Sequence, residues 1–321
     1  MKSSLTAIKE NQPTLQQKDF LALNTFSRSE IMVLLDEAIK IKEETKAGIH
    51  KPYLQGKVLG MIFEKASTRT RVSFEVGMLQ LGGEAIFLSK QDMQLGRGES
   101  STDTAKVLSR YVDGLMIRTF GHDIIETFAN EATIPVINGL TDLHHPTQVL
   151  ADLLTIYEYK GKLAGLKMAY LGDGNNNMCH SLIEGAVKTG MDMAIACPTG
   201  FEPNQQIYQA MKQEAADNST ILTCSKNPSE AVSNADIIVT DVWASMGKEA
   251  ESSERNFQAF QVNQELCQKA KNDYIFLHCL PAHRGEEVTA DVIDGKHSVV
   301  FDEAENRLHA QKALLKMLLD K

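Results

Sequence analysis

The chain has 321 residues, 43% of them hydrophobic and 23% charged, with 21 Gly and 8 Pro. These values exclude a disordered or low-complexity chain, and the length suits two domains of ~150 residues. A formal charge of −9 makes nucleic acid and anionic membrane surfaces poor partners, so any anionic ligand needs a local cluster of donors.

The first ~20 residues are polar and read as a loosely held arm. Ser27-Arg28-Ser29-Glu30 is a capping box. Ile31, Leu34, Leu35, Ala38 and Ile39 follow it at helical spacing, and Gly48 stops the run. Short apolar runs then predict strands at 58–63, 85–88, 114–118 and 134–138, with helices near 69–81, 102–112 and 122–132 between them. A helix at 147–159 ends near Gly161. Strands resume at 167–172, 192–197, 220–224, 236–242 and 274–279, and an amphipathic helix closes the chain at 303–319. This alternation predicts an α/β protein of two domains, each a parallel sheet flanked by helices.

No run approaches ~18 uncharged apolar residues, so no membrane span is expected. Lys2, Lys9 and Glu10 sit among polar residues, and no secretory signal is expected either. Cys179, Cys197, Cys224, Cys267 and Cys279 are odd in number and form no C-x-x-C pair. A disulfide framework or structural zinc is therefore not expected, and a reducing, cytoplasmic setting is.

Ligands of open parallel sheets lie beyond the carboxyl ends of the strands. After the first strand stands Ser67-Thr68-Arg69-Thr70-Arg71 at a helix start. Hydroxyls alone would read as a cap. With two guanidiniums and a helix N-terminus they read as an oxyanion cradle. No P-loop sequence is present. Arg118 ends the third strand, where a surface residue at a sheet edge is the plainer reading. His144-His145-Pro146-Thr147-Gln148 follows the fourth; Pro146 suits a helix start, a His there can be a local cap, and His and Gln are also donors to a polarised oxygen.

Gly172-Asp173-Gly174-Asn175-Asn176-Asn177 looks like a dinucleotide fingerprint, but Asn177 stands at the third glycine position and the next strand ends in Cys197-Pro198-Thr199, without an acid for a ribose. Three Asn side chains suit a zwitterion better than a nicotinamide cofactor. Asp241-Val242-Trp243-Ala244-Ser245-Met246-Gly247 opens a charged loop that reads as a lid. The last strand ends in His278-Cys279-Leu280-Pro281, where the plain reading of Cys279 is a small buried hydrophobe.

These segments, in this order and spacing, resemble the signature motifs of the aspartate/ornithine carbamoyltransferase family, over nearly the whole chain beyond the arm. Ser-Thr-Arg-Thr-Arg and His-Pro-Thr-Gln resemble carbamoyltransferases broadly; Ser-Met-Gly and His-Cys-Leu-Pro resemble the ornithine branch. The resemblance implies a first domain, 1–148, that binds carbamoyl phosphate and is joined by a returning C-terminal helix, 307–321. The second, 149–306, would bind ornithine. It further implies a homotrimer with interface active sites, and no metal or organic cofactor.

The carbamoyl-phosphate residues it implies are Ser67, Thr68, Arg69, Thr70, Gln94 (reaching a neighbouring subunit), Arg118, His145, Gln148, Cys279, Leu280 and Arg307. Asn176, Asp241, Ser245 and Met246 would grip ornithine, and Arg118, His145, Asp241 and Cys279 would serve the transfer itself. Citrulline and phosphate would be the products. Putrescine, aspartate or an acylated ornithine would be the nearest alternative acceptors. An NAD-dependent dehydrogenase or a binding protein that merely keeps the fold would be the alternatives of another class.

Overall fold

The computed structural model of the chain describes residues 15–95, 98–243 and 257–320. Helix α1 (Arg28–Lys46) begins as its sequence dictates. Ser27 Oγ accepts from the Glu30 amide at 3.3 Å, and Glu30 Oε2 accepts from the Ser27 amide at 2.9 Å. Two orphan donors are thereby satisfied.

Strands β1 (Val58–Phe63), β2 (Glu84–Ser89), β3 (Gly114–Arg118) and β4 (Val136–Leu140) form a parallel sheet in the order β2-β1-β3-β4. Helices α2 (Thr68–Gln80), α3 (Ser101–Leu108) and α4 (His122–Glu131) join them. Several boundaries shift from expectation, two of them here for a visible local reason. Helix α3 ends at Leu108, because the Arg110 and Tyr111 amides bond three residues back and tighten the last turn. Strand β4 starts two residues late, after Pro135, which has no N–H for a ladder.

Helix α5 (Pro146–Lys160) then crosses to the second half and stops at Gly161, whose φ of 68° is the left-handed cap. There β5 (Lys167–Leu171), β6 (Asp192–Ala196), β7 (Leu222–Ser225), β8 (Ile237–Thr240) and β9 (Ile275–Leu277) form a second parallel sheet, ordered β7-β6-β5-β8-β9. Its helices are α6 (Asn177–Thr189), α7 (Gln205–Asp217), α8 (Pro228–Val232), α9 (Gln264–Cys267) and α10 (Ala290–Ile293). Helix α11 (Val300–Leu319) returns to pack on α1, α2 and α5.

Strand alternation sorts the core. Leu59 and Met61 of β1, and Met168 and Tyr170 of β5, point into one apolar layer shared by both sheets, with Leu34, Leu150, Leu182 and Leu314 from the helices between them. Ile62 faces the outer side of the first sheet, and Ala169 and Leu171 that of the second. In the shared layer α5 and α6 approach so closely that a Cβ on Gly185 would lie 2.7 Å from Val149 Cγ1. Among the described residues no helix is long and apolar enough to cross a membrane.

The arm is not loose throughout. From Leu15 onward it packs on the first sheet. Phe20 is fully buried, its amide donates to Val136 O at 2.9 Å, and its carbonyl accepts from the Asn138 amide at 2.8 Å. Lys18 Nζ donates to the carbonyls of Ala129, Ala132 and Ile134. The segment covers the otherwise open edge of β4; its polar composition concealed the one buried aromatic that anchors it.

In each sheet the strand order reverses once, between β1 and β3 and between β5 and β8. Those two switch points are where crevices form.

Candidate active site

The first switch point carries an anion wall. Ser67 caps α2, its Oγ accepting the Thr70 amide at 3.1 Å. The amides of Thr68 and Arg69 stay at the positive end of the helix dipole. The buried Thr70 hydroxyl accepts from Arg307 Nη2 at 2.7 Å, so α11 delivers its guanidinium to the start of α2. Arg69 Nη2 donates to the carbonyl of Leu280, which follows β9. Arg118 closes β3 where its register with β4 shifts: Ile117 pairs with Asn138, but Arg118 with Leu140. Such a bulge re-aims a side chain. The extra residue is Gly139, where a Cβ would lie 2.4 Å from Met116 Sδ and 3.2 Å from Ile117 O.

Arg118 and Arg307 are each 3% exposed, and the Nε atoms of Arg69, Arg118 and Arg307 are buried without a hydrogen-bond partner. Burial, then Arg307 and Arg69, pulls Arg118 down to about 10. Burial, then Arg69, pulls Arg307 down to about 10. Three crowded cations repel one another, and an anion among them relieves both repulsion and desolvation. Arg71 is not among them: its Nε binds Glu75 Oε1 at 2.9 Å and its guanidinium stacks 3.8 Å from the Phe87 ring centroid.

His145 sits at the N-cap position of α5 but makes no side-chain cap bond, so the local-cap reading fails. Its amide donates to Ser181 Oγ at 2.8 Å. Burial, then Arg307, Arg118 and Arg69, holds the imidazole well below its usual range. The ring is a neutral donor rather than a cation. Gln148 corrects another expectation. Its Nε2 donates to Asp152 Oδ1 at 2.8 Å and to Glu303 Oε1 at 3.0 Å, which engages both N–H bonds. The buried atom left without a partner is the acceptor Oε1. It suits the NH2 end of a carbamoyl group, not the carbonyl oxygen.

The second switch point carries a wall of hydrogen-bonded polar groups with one carboxylate, Asp241. Cys279 Sγ donates to Asp241 Oδ1 at 3.1 Å. Burial, then the Asp241 carboxylate, pushes that thiol well up, so it stays protonated. Leu280 adopts φ 56°, a strained value for a β-branch-free but bulky residue, and two bonds hold it there. Its amide donates to His278 Nδ1 at 2.9 Å and its carbonyl accepts from Arg69. His278 Nε2 is 3.1 Å from Glu287 Oε1. Asp241, His278 and Cys279 bring ligand-type atoms within 4.8 Å of one another. With both His278 nitrogens engaged, only two donors are left, fewer than the three protein ligands of a catalytic zinc.

Asn176 is buried at the start of α6: Oδ1 accepts from the Cys179 amide at 2.8 Å, and Nδ2 donates to Tyr170 Oη at 3.0 Å. One N–H remains for a ligand. The Asn176 side chain thus occupies the helix end that a pyrophosphate would need. Asn175 is exposed. Asn177 Nδ2 donates to Thr141 O at 2.8 Å and ties the loop to the first half. Gln94 is exposed after β2 and makes no hydrogen bond to these groups among the described residues. Ser245 and Met246, with the lid reading of their loop, lie outside the described residues.

Sequence reasoning missed Asp152 and Glu303. A signal existed: Asp152 lies in the run Val149-Leu150-Ala151-Asp152-Leu153-Leu154, four residues after Gln148. An acid inside an apolar helical run needs a buried partner.

A cleft with an anion site on one parallel-sheet domain and a polar, hydrogen-bonded wall on the other defines a two-domain α/β protein that brings an anion to a second ligand. Known proteins say which. The carbamoyl-P binding domain of aspartate/ornithine carbamoyltransferases matches residues 18–158, and their Asp/Orn binding domain matches residues 164–318. The chain belongs to the aspartate/ornithine carbamoyltransferase family. It is 60% identical to the ornithine carbamoyltransferase of Carboxydothermus hydrogenoformans over 304 residues, 94% of this chain and 97% of that one. It is 59% identical to that of Anoxybacillus flavithermus over 307 residues, 95% and 98% of the two chains. The solved ornithine carbamoyltransferase of Pyrococcus furiosus matches with a TM-score of 0.92 at 52% identity, covering 96% of this chain and 98% of that one.

Proposed function

We propose that the chain transfers the carbamoyl group of carbamoyl phosphate to the side-chain amine of L-ornithine, giving L-citrulline and phosphate. The observation that carries this is the meeting of three guanidiniums, each with a buried, unpartnered Nε, at the open end of α2 beside the Asp241–Cys279 pair. Ser67, Thr68, Arg69 and Thr70 hold the phosphate. Arg118, Arg307 and the neutral His145 surround the carbamoyl oxygen, which gains negative charge as the amine attacks. Gln148 Oε1 and the Cys279–Leu280 backbone take the carbamoyl NH2.

Asp241 and Cys279 orient the ornithine amine, which titrates near ~10.4 when free and must reach the carbon unprotonated. Asn176, Ser245 and Met246 hold the α-amino and carboxylate ends. The new N–C bond forms as the C–O bond to phosphate breaks. The bonding pair leaves with phosphate, which also takes up the proton that the nitrogen sheds. No metal or organic cofactor has a step in this scheme.

In this reading residues 1–148 with the returning segment 307–321 serve carbamoyl phosphate, and 149–306 serve ornithine; the packing of α11 on α1 and α2 supports the return. A homotrimer with Gln94 reaching a neighbour's phosphate is supported by the exposed apolar residues Val72 and Leu79 on α2 and Ile86 on β2. We place the enzyme in the cytoplasm, where its free cysteines are at home. The test is citrulline formation from ornithine and carbamoyl phosphate, with aspartate and putrescine as parallel acceptors; carbamoylation of either in place of ornithine overturns the assignment. Light scattering checks the trimer.

A further inference from the structure

Beneath the anion wall lie two buried carboxyl groups with no part in the scheme above. Asp152 comes from α5 and Glu303 from the first turn of α11; they are 0% and 2% exposed and hydrogen-bond each other. Three of their four oxygens are acceptors. Asp152 Oδ1 and Glu303 Oε1 each accept from Gln148 Nε2, and Glu303 Oε2 accepts from the His278 amide at 2.9 Å. The fourth, Asp152 Oδ2, is buried and has no donor directed at it. Two ionised carboxylates cannot share a buried contact, but one proton held between Asp152 and Glu303 makes one the donor to the other and completes the set.

We propose that Asp152 and Glu303, joined by one shared proton, are positioning residues for carbamoyl transfer: they fix the Gln148 amide with its oxygen as the free group and anchor the His278 amide at the head of the Cys279–Leu280 turn.

The pair joins the two halves of the carbamoyl site. Gln148 belongs to α5, while His278 leads into the turn that carries Cys279 and the Leu280 carbonyl held by Arg69. A Gln amide rotated by half a turn would present N–H bonds to the NH2 of the substrate, donor against donor. Only acceptors on both sides of Nε2 prevent that rotation. Burial raises both carboxyls, Asp152 to about 7, in keeping with a retained proton. Arg307, which lowers both, balances the single remaining charge.

The proposal rests on the carbamoyl group lying at Gln148, and isosteric variants of the full chain test the two claims separately. Asp152→Ala removes an acceptor and the proton, and kcat should fall by about 100-fold, the scale of a misplaced transition-state contact. Asp152→Asn restores both, with Oδ1 accepting from Gln148 and Nδ2 donating to Glu303, and should recover kcat to within about tenfold of the parent. Glu303→Gln has the same size and the same loss of charge, yet it must aim an N–H at Gln148 Nε2 or at the His278 amide. It should remain about 100-fold down in kcat, with the KM for carbamoyl phosphate changed far less, because Ser67–Thr70 is untouched.

A purely space-filling role predicts that the Asn and Gln variants behave alike. Equal effects of the two, or a loss confined to KM, overturns the proposal. Should Asp152→Ala fail to fold by thermal melting, the Asn and Gln variants decide alone. Gln148→Ala separates the claims: a full kcat there removes the carbamoyl placement and the pair's role with it, whereas a damaged Gln148→Ala beside equal Asn and Gln variants removes only the pair's role.

Discussion

On the anion wall, Arg69, Arg118 and Arg307 are gathered without an ion-paired carboxylate among the described residues, and their Nε atoms wait unpartnered. On the opposite wall Asp241 already holds the Cys279 thiol, and Asn176 is bound at both ends of its amide. The first wall is electrostatically unfavourable until a doubly charged ligand arrives; the second carries a single carboxylate, Asp241, that is already hydrogen-bonded. Binding energy on the first comes from charge in a desolvated setting, where each donor counts heavily, and on the second from exchange of hydrogen bonds, where each counts modestly. Substitutions on the two walls should therefore differ in size and in the substrate they affect.

The largest effect belongs to Arg69. Arg69→Ala removes a charge-assisted donor to phosphate and the grip on the Leu280 carbonyl together. Turnover should fall by about 100- to 1000-fold with a raised KM for carbamoyl phosphate. Near-parental steady-state kinetics would take the phosphate away from α2. Next comes Asp241→Asn, which keeps the shape of the second wall and loses its anion. It should lower kcat/KM for ornithine by about 10- to 100-fold, the range of a single charged hydrogen bond, while the KM for carbamoyl phosphate stays put. A matching change in both KM values would show that the walls are not independent.

The walls were unequally legible. The anion wall was readable because its chemistry sits in contiguous strings at strand ends: Ser67 to Thr70, Arg118, and His145 to Gln148. What the sequence hid was direction. Arg71 folds back onto Glu75 and Phe87, and Gln148 presents its oxygen. Each has one partner four residues on, Glu75 for Arg71 and Asp152 for Gln148, but the second partner, Phe87 or Glu303, lies elsewhere in the chain, Glu303 155 residues away. Arg307 was nameable only through resemblance, since a helical Arg becomes a site residue solely by the return of α11 to α2. The strands were legible as apolar runs, and their ends moved by a few residues, at Pro135 and Leu108 through a proline and a tightened turn, and in the second half through shorter strands than the apolar runs, as at Ile275–Leu277.

A smaller effect sharpens the second wall. Cys279 is a neutral donor to Asp241, not a thiolate. Cys279→Ala should free that carboxylate and weaken ornithine by about tenfold, one hydrogen bond's worth, without weakening carbamoyl phosphate. Isothermal calorimetry with each ligand measures this. Unchanged ornithine affinity would return Cys279 to the role of a buried apolar residue.

The smallest effect lies in the seam that holds the walls together and is one of stability. Glu184 of α6 is fully buried; its Oε2 accepts from the Leu23 amide at 3.0 Å, and its Oε1 lies 3.6 Å from His144 Nδ1. Burial pushes this carboxyl up to about 8, and burial, then His122 and His180, pushes His144 down to about 3. Near neutrality the contact is therefore a protonated acid beside a neutral ring, not an ion pair. A folded-state value above the ~4.3 of an unfolded Glu means that this side chain stabilises most below that pH and less as pH climbs toward about 8. Glu184→Gln keeps the acceptor for Leu23 and does not titrate. Its stability advantage over the parent, measured by urea unfolding, should grow by about 1 kcal/mol between pH 6 and pH 7. Parallel pH profiles for the two proteins would mean that Glu184 is already ionised in the folded seam and that His144 carries the balancing proton.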